Sequence, residues 1–152
     1  MKQTVFNDMR KMAFNTKPED IGVKLTNNKQ VYAGIIDMNI NNTIATLVMF
    51  FDGTVSLYYS NDRADIGLGQ NPIIKKNAMT FLVNTGQCLE NMVKVEAFEV
   101  LNDKDIHVYL KTSAGVYSST IHTDSPNTKV NGFLNLLLQK VLSAIRTEGK
   151  SL

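Results

Sequence analysis

The segment TIATLVMFFDGTVSLYYS, residues 43–60, is the clearest indication of the fold. Residues 43–51 are too apolar for a strand with one face in water, so they predict a central strand covered on both sides. Asp52-Gly53 is a strong hairpin signal, because glycine adopts a positive φ without steric penalty and aspartate tolerates it. Residues 54–60 then return as a second strand, which places Val55, Leu57 and Tyr59 on one face and Thr54, Ser56 and Tyr58 on the other.

The sequence on either side of this hairpin predicts three helices and further strands. Residues 4–14 have apolar side chains near helical spacing, and Lys17-Pro18 ends that helix. A second helix is predicted over residues 72–91, with Pro72 in its first turn. The last helix is predicted to begin at Ser125-Pro126, to carry an apolar stripe of period 3.6, and to end at Gly149. Strands are predicted over residues 21–25, 31–40, 93–101, 105–113 and 115–123.

The predicted order of elements is a helix, four strands, a helix, three strands and a helix. Hairpins dominate this order, and strands do not alternate with helices. It therefore predicts the α+β class, with a mostly antiparallel sheet of about seven strands and three helices packed on it. Profilin-like and roadblock-like domains have a comparable order, although a fold does not define a function. No repeat or linker divides the chain, so residues 1–152 are interpreted as a single domain.

Composition narrows the class of protein further. The hydrophobic fraction is 43%, the charged fraction is 20% and the net charge is +2, which are values typical of a globular protein in water. No block of like charges is present, which weighs against nucleic-acid binding. The single cysteine, Cys88, excludes an intrachain disulfide and a multi-cysteine zinc site. No apolar run reaches the length of a signal peptide core or a membrane span, so the cytoplasm is expected, and frequent asparagine and lysine indicate a bacterial source.

The loop over residues 60–72 is the first candidate for a ligand site. Its two glycines precede a predicted helix, where free N–H groups and the positive helix end attract anions, and Lys75 and Lys76 add charge. The loop lacks both the Rossmann fingerprint, since Pro72 stands at the third glycine position, and the P-loop motif. A structural turn is therefore the favoured interpretation. The alternative is a ligand loop whose binding residues are Ser60, Gly67, Gly69, Lys75 and Lys76.

Two other kinds of chemistry have candidate residues. His107 and His122 occupy the two arms of the last predicted hairpin, where they are expected to be cross-strand neighbours. A metal site would need a third ligand from Asp105 or Asp124, so two partly exposed strand histidines are the favoured interpretation. Cys88 lies near the apolar stripe of its helix and is expected to act as a small hydrophobic residue.

Binding partners are considered next. Tyrosines on a sheet ordinarily pack against a helix, which is favoured here over a base-stacking platform formed by Tyr58, Tyr59, Tyr109 and Tyr117. The N-terminal segment is expected either to cover an open face of the sheet or to contact a partner chain through Met1, Met9 and Met12. The expected assembly is a homodimer, the commonest oligomer of globular proteins in solution, or a complex with another protein. No cofactor is expected.

Four short motifs follow one another between residues 45 and 69: ATLV at 45–48, DGT at 52–54, SLYYS at 56–60 and IGLG at 66–69. In this respect the chain resembles a family of small uncharacterised bacterial proteins. A looser similarity includes HVYLKTSAGVYSSTI and the leucine-rich last helix, so the resemblance covers residues 31–146. Relatives tend to have a run of glycines where this chain has NDRAD at 61–65. The resemblance implies no activity and no catalytic residue.

The sequence therefore favours a non-catalytic interaction or ligand-binding module. The alternative is an anion- or nucleotide-binding protein, or an enzyme, that uses residues 60–72 and the start of the following helix. A loop whose N–H groups are bonded within the chain would favour the first interpretation.

Overall fold

The computed structural model describes residues 4–148, and within this range the chain forms three α-helices and one seven-stranded sheet. The helices are α1 (Val5–Asn15), α2 (Pro72–Thr85) and α3 (Lys129–Thr147). The strands are β1 (Ala33–Ile40), β2 (Thr43–Phe50), β3 (Val55–Tyr59), β4 (Ala64–Asp65), β5 (Val93–Val95), β6 (Ile106–Thr112) and β7 (Gly115–Ile121). The predicted α+β class and order of elements are confirmed. Among these residues no helix combines the length and the apolar character needed to cross a bilayer.

The sheet has the strand order β4-β3-β2-β1-β6-β7-β5, and every neighbouring pair is antiparallel. β2 lies inside the sheet, and residues 45–49 are all buried. Leu47 and Met49 face one hydrophobic cluster, whereas Val48 faces a second cluster on the opposite side. The prediction of a central strand covered on both sides is confirmed.

The two faces of the sheet are covered differently. Helices α2 and α3 cover one face, where Phe81 and Leu138 pack in the same cluster as Leu47. Helix α1 covers the other face together with residues 96–101, and Phe98 stacks on Phe14 with ring centroids 4.4 Å apart. The sheet is therefore the middle layer of three.

The β2–β3 hairpin forms as its sequence predicts. The Phe50 N–H donates to the Thr54 carbonyl at 2.9 Å, and Gly53 has a φ of 94° in the turn between them. Along β3, Val55, Leu57 and Tyr59 pack beneath α2 and α3, while Tyr58 packs on the α1 side. The predicted alternation is confirmed.

Two predicted strands differ from the structure. Residues 21–25 do not pair with the sheet; a short 3-10 turn, Pro18–Ile21, ends there instead, and the Val23 N–H donates to the Pro18 carbonyl. The fourth strand of the first group is β4. The strand predicted over 93–101 stops at Val95, because the chain then leaves the sheet edge and carries Phe98 across to α1.

The helix boundaries also differ. Helix α2 ends at Thr85, and residues 86–91 continue as a 3-10 turn. Helix α3 begins at Lys129, with the Thr128 hydroxyl accepting from the Asn131 N–H, rather than at Ser125-Pro126. The Asn127 side chain bonds both backbone groups of His122, which holds the preceding residues in a turn. The predicted end at Gly149 lies outside the described residues.

Candidate functional site

The loop over residues 60–72 is closed by its own hydrogen bonds. The Gln70 N–H donates to the Gly67 carbonyl at 3.1 Å. At the start of α2, the Asn71 side-chain oxygen accepts from the N–H groups of Ile73 at 2.9 Å and Ile74 at 3.2 Å. These are among the amides that an anion at this helix start would use. The loop thus has the internally bonded form that favours a structural turn.

The two glycines of this loop have separate structural roles. Gly67 has a φ of 78°, a left-handed conformation that side-chain-bearing residues rarely adopt. At Gly69 the constraint is space, since a Cβ atom built there would lie 1.9 Å from the Gly53 carbonyl oxygen and 3.0 Å from the Val55 nitrogen. Gly69 therefore allows the loop to pack directly on the β2–β3 hairpin.

The predicted ligand-binding residues do not form one cluster. Gly69 and Lys75 meet at Gly53, where the Lys75 stem covers the turn and lines a shallow cleft of about 540 Å³. Lys76 is exposed and does not line this cleft. Ser60 follows the far end of β3, so a strand of about 16 Å separates it from Gly53. The structure brings two of the five residues together beside the turn and leaves Ser60 at the opposite end of the strand.

The two histidines have separate partners. His107 pairs in register with Thr120 rather than with His122, which follows the end of β7. His107 Nε2 lies 2.8 Å from the Asp103 carboxylate, and its Nδ1 lies 3.2 Å from the Thr120 hydroxyl. His122 Nδ1 lies 3.3 Å from Asp105 Oδ2. His107 is buried and His122 exposed, and residues 4–148 contain no group of three His, Cys, Asp or Glu side chains that could hold a metal ion.

Cys88 and the strand tyrosines belong to the core. Cys88 is a buried free thiol, and its burial raises the pKa of that thiol, which disfavours the reactive thiolate. Tyr58, Tyr59 and Tyr109 are also buried, so they contribute to packing between the sheet and its helices. Tyr117 is half-buried.

A row of polar side chains crosses the sheet beneath α1, and the sequence had not indicated it. Asp37 on β1 is in register with Thr46 on β2 and with His107 on β6, and His107 is in register with Thr120 on β7. We call these four residues the polar row. Three of the four are buried and Thr120 is half-buried. Such a row needs internal partners, because unpaired polar groups are costly away from water.

Arg10 of α1 supplies the main partner of the polar row. Its guanidinium donates to both Asp37 carboxylate oxygens, from Nε to Oδ1 at 3.1 Å and from Nη2 to Oδ2 at 2.6 Å. Thr46 donates its hydroxyl to the same carboxylate at 2.6 Å, and Arg10 also donates to the Phe98 carbonyl. Arg10 and Asp37 are 7% and 2% exposed. The pair is therefore a buried, hydrogen-bonded structural contact rather than a group open to a substrate.

The two ends of α1 are held by opposite charges. The Asp62 carboxylate accepts from the Phe6 N–H at the helix start, at 3.1 Å. At the helix end, the buried Lys111 ammonium donates to the carbonyls of Ala13, Phe14 and Thr16 at 3.0, 2.6 and 2.6 Å. This arrangement complements the helix dipole at both ends. Burial also lowers the pKa of Lys111 to about 8.

The lowered pKa of Lys111 predicts a pH-dependent stability. Between pH 8 and the unfolded-state value of 10.5, the unfolded chain binds more protons than the folded protein, so the free energy of unfolding rises with pH. We expect the stability difference between the wild type and Lys111→Met to shift in favour of the wild type by about 2 kcal/mol from pH 7.5 to 9.5. Urea denaturation of both proteins at each pH measures this difference in the free energy of unfolding.

The comparison of the two proteins removes the effects of titratable groups that do not contact Lys111. Burial raises the pKa values of Cys88 and Tyr109, so these groups lower stability as the pH rises, but they act on both proteins equally. If the free energies of unfolding of the wild type and the variant changed in parallel with pH over this range, the lowered pKa of Lys111 would be contradicted.

A further pocket, of about 350 Å³, lies where β1 ends, between the β1–β2 turn and α3. We call it the end pocket. Its lining includes the apolar side chains of Met38, Ile40 and Leu142 and the cationic side chains of Lys104 and Arg146. Neither cation forms an ion pair with any residue in the range 4–148.

Comparison of the chain with protein-family models, with curated proteins and with solved structures finds no match in any of the three. The likeness to profilin-like and roadblock-like domains therefore rests on the order of elements alone.

Proposed function

We propose that this protein is a non-catalytic binding module that holds a small ligand or a partner chain and carries no cofactor. One contrast within the described residues supports the proposal. The buried ionisable groups Arg10, Asp37, His107 and Lys111 are bonded to their own chain. Two unpaired cationic side chains, Lys104 and Arg146, border an open pocket.

This contrast matters because catalysis and binding need different groups. A general acid or base must exchange a proton with a substrate within hydrogen-bond reach. The carboxylate of Asp37 is 2% exposed and already accepts three hydrogen bonds, so a substrate has no route to it. A binding site needs only complementary shape and charge, which a partly apolar pocket with free cations provides.

The competing proposal is an anion- or nucleotide-binding protein, or an enzyme, that uses residues 60–72. Its N–H groups at the start of α2 would have to exchange their bond with Asn71 for a bond to the ligand. A Tm increase with inorganic phosphate or ATP that is lost in Lys75→Ala would favour this alternative.

A thermal-shift panel of anionic, cationic and neutral organic compounds tests the proposed function. A bound compound at 100 times its Kd adds about 2.7 kcal/mol, which raises the Tm of a domain this size by roughly 5–10 °C. We expect one charge class to raise the Tm, and NMR spectra of the compound to stay unchanged after prolonged incubation. Chemical conversion of the compound would contradict a non-catalytic role, and a panel without any shift would contradict small-ligand binding.

We also propose that the chain forms a homodimer. Val5, Met9 and Met12 follow one another at helical spacing on α1, with Val5 and Met12 more than half exposed at 55% and 58%. Met9 packs against the cluster beneath α1, so the apolar surface that the helix presents to solvent consists of Val5 and Met12. Met1 lies outside the described residues. Sedimentation equilibrium is expected to give a dimer mass that falls in Met12→Lys. A monomer at high concentration would contradict the proposal.

A cytoplasmic location and kinship with the small bacterial family complete the proposal. The buried free thiol of Cys88 is compatible with a reducing compartment. The close approach of Gly69 to Gly53 joins the DGT and IGLG motifs in space, which supports treating them as one structural unit. Fractionation of source cells with an antibody to the protein tests the location.

A further inference from the structure

The end pocket is formed by three parts of the chain that lie far apart in sequence. Met38 and Ile40 come from the end of β1, Lys104 precedes β6, and α3 adds Leu142 and Arg146. On α3 the lining residues follow one face, at spacings of three and four from Gln139. The pocket is therefore a product of the fold and lies on the α2–α3 side of the sheet.

The pocket has an apolar floor. Met38 and Leu142 are buried members of the main core cluster, and Ile40 packs against that cluster. The volume of about 350 Å³ is at the small end of ordinary ligand sites. At about 30 Å³ per water molecule, it has room for a compound of roughly ten heavy atoms. An apolar body of this size would displace water from an apolar surface, which favours binding.

The charged side chains that line the pocket, Lys104 and Arg146, are both cationic. Asp105 lies outside the lining, where its carboxylate accepts from the Thr123 N–H at 3.2 Å and lies 3.3 Å from His122 Nδ1. The C-terminal end of α3 carries a partial negative charge of about half an elementary charge, which repels an anion. This charge is smaller than the two full positive charges of Lys104 and Arg146. The pocket thus favours an anion over a cation or a neutral compound.

The rim of the pocket is held in place before any ligand binds. Asn41 and Asn42 adopt φ angles of 51° and 65°, and the Asn42 N–H donates to the Asn39 side chain at 3.0 Å. The Thr123 hydroxyl donates to the Lys104 carbonyl at 3.2 Å, which fixes the backbone that carries this lysine. A rim that is already ordered lowers the entropy cost of binding.

We propose that the end pocket binds an organic anion with a short apolar body, of roughly ten heavy atoms, whose headgroup is a carboxylate or a phosphate monoester. The inference rests on the proposed function and names its ligand class. The apolar body lies on Met38, Ile40 and Leu142. The planar guanidinium of Arg146 matches two oxygens of the headgroup, and Lys104 contributes a point charge.

Calorimetric titration with octanoate and octyl phosphate tests the ligand class. Octanol and octylamine are the matched neutral and cationic probes, all below their aggregation concentrations. We expect at least one anion to bind tenfold or more tightly than octanol and octylamine, and the two anions together show which headgroup is preferred. Equal binding of the three charge classes, or no binding of either anion, would overturn the proposal.

Three charge-removing variants locate the site. Arg146→Met and Lys104→Met keep most of the apolar stem and remove the charge, and each is expected to weaken anion binding about tenfold. Lys140→Met is the matched control, since Lys140 is exposed on α3 and does not line the pocket. We expect it to change affinity less than twofold. Equal losses in all three variants would indicate a diffuse charge effect and overturn the assignment.

The outcomes separate this inference from the broader proposal. The thermal-shift panel could identify a ligand whose binding is unchanged in Arg146→Met and Lys104→Met. The end pocket would then not be the binding site, whereas the proposed function as a binding module would be retained. If no compound in the panel shifts the Tm and neither anion binds, both proposals fail for small ligands. Circular dichroism of each variant verifies that it is folded, as expected for exposed charges away from the core.

Discussion

Replacing Asp37 with leucine is expected to lower the free energy of unfolding by about 3–5 kcal/mol, because the change leaves the Arg10 guanidinium buried without its counter-ion. Arg10→Met should cost a similar amount, since it leaves the Asp37 carboxylate buried with only the Thr46 hydroxyl bonded to it. The double variant, Arg10→Met with Asp37→Leu, removes both charges and is expected to be more stable than either single variant. Urea denaturation of the four proteins measures the coupling.

An exposed ion pair provides the control for this cycle. Lys29 and Glu90 lie 3.5 Å apart with side chains 67% and 76% exposed, so Glu90→Gln is expected to leave stability essentially unchanged. If the effects of the two single substitutions at Arg10 and Asp37 simply added in the double variant, the pair would not be coupled, and its role in holding α1 would be wrong.

Gly69→Ala is expected to destabilise the protein by about 3 kcal/mol or more, at the upper end of the range for overpacking. The added methyl group would meet the Gly53 carbonyl at 1.9 Å and the Val55 nitrogen at 3.0 Å. Both are backbone atoms of the β2–β3 hairpin, so the clash is relieved only if the loop or the hairpin moves. Chemical denaturation of the purified variant measures the loss.

Two other glycines separate this clash from the general effects of adding a methyl group. At Gly67 the nearest atom to a new Cβ is 3.6 Å away, so Gly67→Ala is expected to cost only the strain of its positive φ, about 1–2 kcal/mol. Gly132 lies within α3 with open space around it. Gly132→Ala is therefore expected to raise the free energy of unfolding by about 0.5–1 kcal/mol. A loss at Gly69 no larger than that at Gly67 would contradict the packing interpretation.

The parts of the fold that were predictable rest on local patterns. The hairpin around Asp52-Gly53 combines a turn dipeptide with alternating apolar residues, and α3 follows a long stripe of period 3.6. The alternation at 21–25 has the same local form, yet a strand also needs a partner to pair with, and the edge strands β4 and β5 are only 2 and 3 residues long. Local alternation identifies residues able to form a strand but not whether a partner strand is available.

The buried contacts and the end pocket depend on tertiary structure. Asp37 lies within an apolar strand, which marks it as a residue that needs a partner, but nothing local selects Arg10 from the 16 lysines and arginines. Likewise, Met38, Lys104 and Arg146 become neighbours only when β1, β6 and α3 pack together. The candidate ligand loop failed as a cluster for the same reason, because the length of β3 separates Ser60 from Gly69.

The anchoring of α1 also imposes an order on its assembly. Three of its polar contacts join Arg10 to Asp37, Phe6 to Asp62 and Phe14 to Lys111, which are 27, 56 and 97 residues apart along the chain. Synthesis proceeds from the N-terminus, so α1 is among the first segments to leave the ribosome, while the lysine that holds its end is among the later ones. The helix that is made first therefore gains its last contact only after residue 111 has been synthesised.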